Sequence, residues 1–323
     1  MANELEIQIP WMRYDVTLPL IEGRVPIEGV KIVPSRSAPS GTVFGPDSPL
    51  KTGDFGLVDL NMANWLPAIE AGWQLVGLPI FPKRKHLYTY VFCRADAGIS
   101  DPKDLEGKRV LSTVTSSAVA IWLKALLEKR HNVDINSITW VSPREQWPIH
   151  SNRWRVERLE RRKSVTEVLL DGDVDATMVD VSDRRLYEVL ENDPRIKRLF
   201  PDYLQEARQL YKDAGIYVPV HMIVMSKKLD LQYPNLAGKL FAAFQTAKQL
   251  AYEDILDDRS GFSLVDLRER FLAQIRGWGD LFPNGIAANK HTINTFMSYC
   301  REYGIVKDAW SYETVFAPST LNT

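Results

Sequence analysis

Two histidines and the polar residues near them carry the chemistry this chain could perform. His86 follows the basic run Lys83, Arg84, Lys85 and opens the strand-like stretch LYTYVFC, while His221 lies inside the apolar run IYVPVHMIV. An imidazole exchanges protons readily at neutral pH because its ordinary pKa is about 6.5. Two of them facing one ligand would suit general acid–base work. A hydrogen-bonded structural imidazole is the competing reading for each.

The second constellation is STVTSS, residues 112–117, a hydroxyl-rich passage from a strand into a helix. Free N–H groups and the hydroxyls of Thr115, Ser116 and Ser117 could receive a carboxylate there, although an ordinary helix N-cap uses the same groups. Arg13, Arg84 and Lys85 could supply countercharge, with solvated strand ends as the alternative. Asp59 and Asn61 in GLVDLNMANW, together with Tyr88 and Tyr90, are further candidates for the wall of a ligand site.

The common catalytic signatures are missing. The chain has no glycine-rich phosphate loop, no GxSxG elbow, no HExxH and no CxxC. No two of His86, His131, His150, His221 and His291 stand four residues apart, so no preformed metal site is legible and neither a metal nor a cofactor is expected. Forty basic residues against forty-one acidic ones give a net charge of -1, which points to a small-molecule partner rather than nucleic acid. The run 153–163 has a local charge of +4 and reads as a solvated face. Every apolar stretch is broken by charge well short of the ~18 residues of a membrane span. The N-terminus MANELEIQIP reads as an immediate strand instead of an export signal. With only Cys93 and Cys300, the expectation is a protein of the cytoplasm without disulfides.

The elements that must position these residues follow an α/β pattern. Strand-like EIQIP, VKIVP, FGLVDL and WQLVGLPI alternate with helical segments. In SSAVAIWLKALLEKR, Val119, Trp122, Leu123, Leu126 and Leu127 recur at helical spacing behind a Ser116 or Ser117 cap. SITWV, SVTEVLLDG and VDATMVD repeat strand, helix, strand. IYVPVHMIVMS reads as a strand crossing back toward the N-terminal part. Leu236, Leu240, Phe241, Phe244 and Ala247 form one helical stripe; Ile293, Phe296, Met297 and Cys300 form another. At 323 residues the chain is sized for two lobes. Lobe I is expected over 1–110 and 217–323, lobe II over 111–216, with two hinge crossings, a ligand cleft between the lobes and the C-terminal helices on lobe I. Trp65, Trp73 and Trp122 read as core.

The stretches YDVTLPLIEGRVPIEGV, FPKRKHLYTYVFCRADAGISDPKDLEGKRV, LLDGDVDATM, LFPDY, GIYVPVHMIVM and FPNGIAANKHTI, in this order, resemble the 4,5-dihydroxyphthalate decarboxylase family. The resemblance implies a type II periplasmic-binding-protein-like fold, related to transporter substrate-binding proteins. It also implies non-oxidative, cofactor-independent loss of carbon dioxide from a hydroxylated aromatic carboxylic acid. In that chemistry an acid protonates the ring carbon bearing the leaving carboxylate. His86 and His221 are the expected acid and phenol partner, in unassigned order, with Asp59 beside them. Val16 stands where the family has an arginine, Lys85 stands for another arginine, and Asp59 replaces a glutamate; a retuned substrate follows from these departures. A cytoplasmic solute-binding protein that takes a small carboxylate without chemistry is the alternative. A homodimer is the oligomeric expectation, from the frequency of two-fold assemblies alone.

Overall fold

The structure, a computed structural model, describes residues 4–10, 12, 14–35, 47–112, 117–143, 153–159, 163–179, 184–257 and 261–323. The chain divides into two compact units: residues 1–84, 219–294 and 310–323 form the first, and 85–218 with 295–309 the second.

In the first unit, β1 (Leu5–Pro10) pairs in parallel with β2 (Val30–Ser35). β3 (Leu57–Asn61) and β4 (Leu75–Arg84) both pair antiparallel with β11 (Pro219–Ser226), which lies between them. β1 runs against β3: a Cβ built on Gly56 would fall 2.2 Å from the Gln8 carbonyl oxygen. Only glycine admits that approach. The first unit thus holds a two-stranded ladder β1-β2 beside a three-stranded one, β3-β11-β4. One face packs Ile7, Ile9, Leu57, Leu78, Ile80, Ile223 and Met225 against Leu236, Leu240, Phe244 and Ala247 of the helix Leu236–Leu256. Apolar residues at helical spacing place that stripe on the sheet, as the sequence leads one to expect.

The second unit holds β5 (Val91–Arg94), β6 (Arg109–Ser112), β7 (Thr139–Ser142), β8 (Val156–Arg158), β9 (Ala176–Met178) and β10 (Ile196–Arg198) in the order β10-β5-β9-β6-β7-β8. β6 is parallel to β7 and β9, while β5 is antiparallel to both of its neighbours. The run β9-β5-β10 repeats β3-β11-β4 with its central antiparallel strand, and the parallel pair β6-β7 repeats β1-β2. The α/β fold is thus the two-lobed type II binding-protein architecture.

Two details differ from the expected division. The first crossing falls at Arg84/Lys85 instead of after residue 110, because β5 finds its partners in β9 and β10. The helix Ile286–Glu302 contributes its N-terminal part to the first unit and residues 295 onward to the second. The second crossing, at Val218/Pro219, lies two residues from the expected 216/217. Local signals otherwise act as chemistry demands. Ser164 and Glu167 close a reciprocal capping box on the helix Val165–Leu170, and Gly172 follows at φ +79°. Trp65, Trp73 and Trp122 are buried, and Cys93 and Cys300 are buried and free. No helix among the described residues is long and apolar enough to cross a membrane.

Candidate active site

Strand register in the first unit sets the site. Asn61 stands opposite His221 and Asp59 opposite Ile223 in the antiparallel β3–β11 ladder, so Asp59, Asn61 and His221 share one face. Further along, the same face carries Leu57, Ile223 and Met225 into the apolar core. The polar group therefore begins where the core ends. His221 Nδ1 lies 3.0 Å from Asp59 Oδ1 and 3.1 Å from Oδ2. The Tyr14 hydroxyl donates to Asp59 Oδ2 at 2.8 Å.

A carboxylate only accepts, so it draws the imidazole proton to Nδ1 and leaves Nε2 to act on a ligand. The side chains of Asp59 and His221 are 11% and 15% exposed, enough burial to fix the pair while leaving the ring edge reachable. Asp59 and His221 are also two groups of a kind that bind metals. No set of three or more His, Cys, Asp or Glu side chains able to hold a metal occurs among the described residues.

β4 is deformed beside this group. From Ile223 to His221 the partner on β4 moves from Leu78 to Lys83, so two steps of β11 span five steps of β4. Pro79 and Pro82 lie in this bulge and cannot donate to a ladder. The FPNG turn supplies what the ladder lacks: Phe81 N–H donates to Asn284 Oδ1 at 3.2 Å, and Gly285 N–H donates to the Pro79 carbonyl at 2.7 Å. Arg84 is buried, and its Nη2 donates to the Pro283 carbonyl at 2.9 Å and to Asn289 Oδ1 at 2.6 Å. Its guanidinium is thus part of the brace on the bulge.

The remaining candidates have other surroundings. Asn61 caps the helix Met62–Glu70, its Oδ1 accepting from Ala63 N–H at 3.1 Å. Ser117 caps the helix Ala118–His131 by accepting from Ala120 N–H at 3.2 Å. Arg13, Thr115 and Ser116 lie outside the described residues. Lys85 belongs to the second unit with its ammonium 4.7 Å from the centre of the Tyr90 ring. His86, in the same unit, meets Tyr217 edge-on with ring centres 5.1 Å apart. Burial and the nearby Arg208 charge lower its pKa. Tyr88 is 1% exposed, its hydroxyl 3.3 Å from His131 Nε2, so it is a core residue of that unit. Among the described residues of the basic run 153–163, Arg153 pairs with Glu128, Arg155 with Glu157, and Lys163 with Asp171 and Asp173.

Tyr14 and Lys83 escaped selection from the sequence. Tyr14 sits in YDVT with nothing local to link it to Asp59, 45 positions away. Lys83 became distinct from Lys85 only through its register opposite His221.

Burial also lowers the pKa of His131, so His86 and His131 both fold in favour of the neutral ring. A base whose folded pKa is depressed takes up more protons when unfolded. Its stability contribution is complete above the ordinary value of about 6.5 and is lost as pH falls below it. Urea midpoints are therefore expected to drop between pH 7 and pH 5, and His131→Asn should show a smaller drop. An unchanged slope in that variant would refute the assignment.

Comparison with known proteins agrees with this architecture. Residues 80–145 match the family model described as NMT1/THI5 like. A 4,5-dihydroxyphthalate decarboxylase from Comamonas testosteroni is 25% identical over 337 aligned positions, covering 99% of each chain. Among solved structures, the periplasmic aliphatic sulphonate binding protein SsuA from Escherichia coli superposes with a TM-score of 0.58 at 15% identity over the whole of both chains. The desulfurization enzyme DSZB gives 0.52 at 14% identity, over 99% of this chain and 98% of that one. Along nearly its whole length, the chain is thus similar in sequence to a 4,5-dihydroxyphthalate decarboxylase, on a type II binding-protein fold.

Proposed function

We propose that this protein is a non-oxidative decarboxylase of a hydroxylated aromatic carboxylic acid resembling 4,5-dihydroxyphthalate, with His221 as the general acid. The observation that carries the reading is the Asp59–His221 pair, held from behind by Tyr14. Full-length similarity to a named decarboxylase supports the substrate class. A ring hydroxyl para to the leaving carboxylate pushes electron density toward the carbon that bears it. Protonated His221 delivers its Nε2 proton to that carbon, and Asp59 stabilises the cationic imidazole before transfer. The carbon–carboxylate bond then breaks, its electron pair restores the aromatic ring, and carbon dioxide leaves. His221 regains a proton from solvent, so the sum is one carboxylate and one proton converted to arene and carbon dioxide. No organic cofactor enters this sequence of steps.

The likeness to SsuA supports a second reading, a solute-binding protein that takes a small organic anion without chemistry. One assay separates the two. The protein is incubated with a panel of hydroxylated phthalates and benzoates while carbon dioxide release is followed. Catalytic release from at least one acid is expected; saturable thermal stabilisation without turnover across the panel would sink the enzyme reading for those acids.

A further inference from the structure

We propose that Lys83 supplies the cation that holds an anionic group of the substrate beside His221. This rests on the reading of Asp59–His221 as the acid that meets an aromatic carboxylate. Asn61, His221 and Lys83 occupy one row across β3, β11 and β4, as directly opposed partners. Directly opposed residues of antiparallel strands lie about 4.5–5.5 Å apart at Cα, so the Lys83 stem starts beside His221 even though register shifts flank the pair. The lysine stem is flexible, so its ammonium can follow a ligand in contact with the imidazole.

The charge pattern singles out this residue. Asp59, two positions along β3 from Asn61 and on the same face, is engaged by both Tyr14 and His221 Nδ1. An anion arriving at Nε2 therefore needs its countercharge from another strand. Among the three basic residues of the PKRKH run, Arg84 is buried against Pro283 and Asn289, and Lys85 lies beyond the end of β4. Lys83 is half-buried and registers with the histidine itself. The bulge at Pro79–Pro82 matters here, since it shifts the β4 register by three residues relative to a regular ladder and so brings a lysine, instead of Ile80, opposite His221.

Phthalate, a dianion lacking the para hydroxyl, serves as a non-reacting probe in isothermal titration of the whole chain. Lys83→Gln is expected to weaken phthalate binding at least tenfold, and Lys83→Arg to stay within about threefold of the unmodified protein. Lys31→Gln, a surface change of equal charge at the Glu6 pair, should leave binding unaltered. Far-UV circular dichroism checks folding, and Lys83→Met replaces the Gln variant if that one fails to fold. Binding within twofold of the unmodified protein after loss of the Lys83 charge overturns the inference. A protein that decarboxylates one of the panel acids with the same KM in Lys83→Gln likewise overturns it, and leaves the proposed function standing. Neither phthalate binding nor turnover in the unmodified protein overturns both.

Discussion

His221→Asn is expected to lower kcat on the responsive hydroxylated acid by about 10²–10⁴-fold, the usual contribution of a positioned general acid. The amide can occupy the space next to Asp59 and keep a donor toward it, which spares the fold. It cannot deliver a proton at neutral pH. Asp59→Asn is expected to lose roughly 10²-fold or more, because an amide offers Nδ1 a donor as readily as an acceptor and so releases the tautomer that the carboxylate enforces. Groups that act as one unit do not add. The double variant should therefore fall little below His221→Asn alone. Steady-state kinetics of the two single variants and the double variant, with circular dichroism and urea midpoints as folding controls, provide the check. Retention of more than about a tenth of kcat in His221→Asn, or fully multiplicative losses in the double variant, would remove the dyad from the mechanism.

Which parts of this site were legible in the sequence follows from the range over which each signal acts. The stripe Leu236, Leu240, Phe241, Phe244, Ala247 needs only helical periodicity, and it lies along the helix Leu236–Leu256. His221 stood out because a titratable ring inside an apolar strand is conspicuous, and Asp59 because a carboxylate in FGLVDL interrupts a core strand. Their contact was not legible, since it depends on the register of strands 162 residues apart. The same limit explains β5. Of the strand-like LYTYVFC, Leu87–Tyr90 forms a 3-10 turn and only Val91 onward is strand, and nothing local says that β5 inserts antiparallel between β9 and β10. Arg84 shows the converse: its charge suggests a ligand, whereas burial beside the FPNG turn gives it carbonyl partners. Tyr88 likewise became a core residue through His131 and Phe200, neither of which is near in sequence.

Lys124 is the position that periodicity misjudges most, and its replacement has the largest stability effect we expect. On the helix Ala118–His131 it lies opposite no obvious solvent face, because every residue from Ala118 to Leu127 is buried. Its side chain is fully buried, with the ammonium 4.5 Å from the centre of the Trp140 ring and 4.0 Å from that of Trp154. Burial lowers its pKa well below the ordinary lysine value. The unfolded chain therefore binds a proton that the folded chain resists, and stability should rise as pH climbs toward the ordinary value of about 10.4.

Methionine has similar length, carries no proton to lose and packs its sulfur well against aromatic rings. Lys124→Met is accordingly expected to stabilise the protein by about 1–3 kcal/mol at pH 7, in line with apolar replacement of buried charge elsewhere. It should also flatten the rise in stability between pH 7 and pH 9.5. Urea unfolding followed by tryptophan fluorescence reads both effects, since Trp122, Trp140 and Trp154 lie in the same unit. The opposite sign, a methionine variant weaker at pH 7, would mean that attraction between a retained ammonium and the two indole faces exceeds the desolvation it suffers. Cation–π contacts in water-poor sites reach about 2 kcal/mol each, so the two outcomes are well separated. The sign of one substitution therefore decides whether this unit folds around a neutral amine or a caged cation.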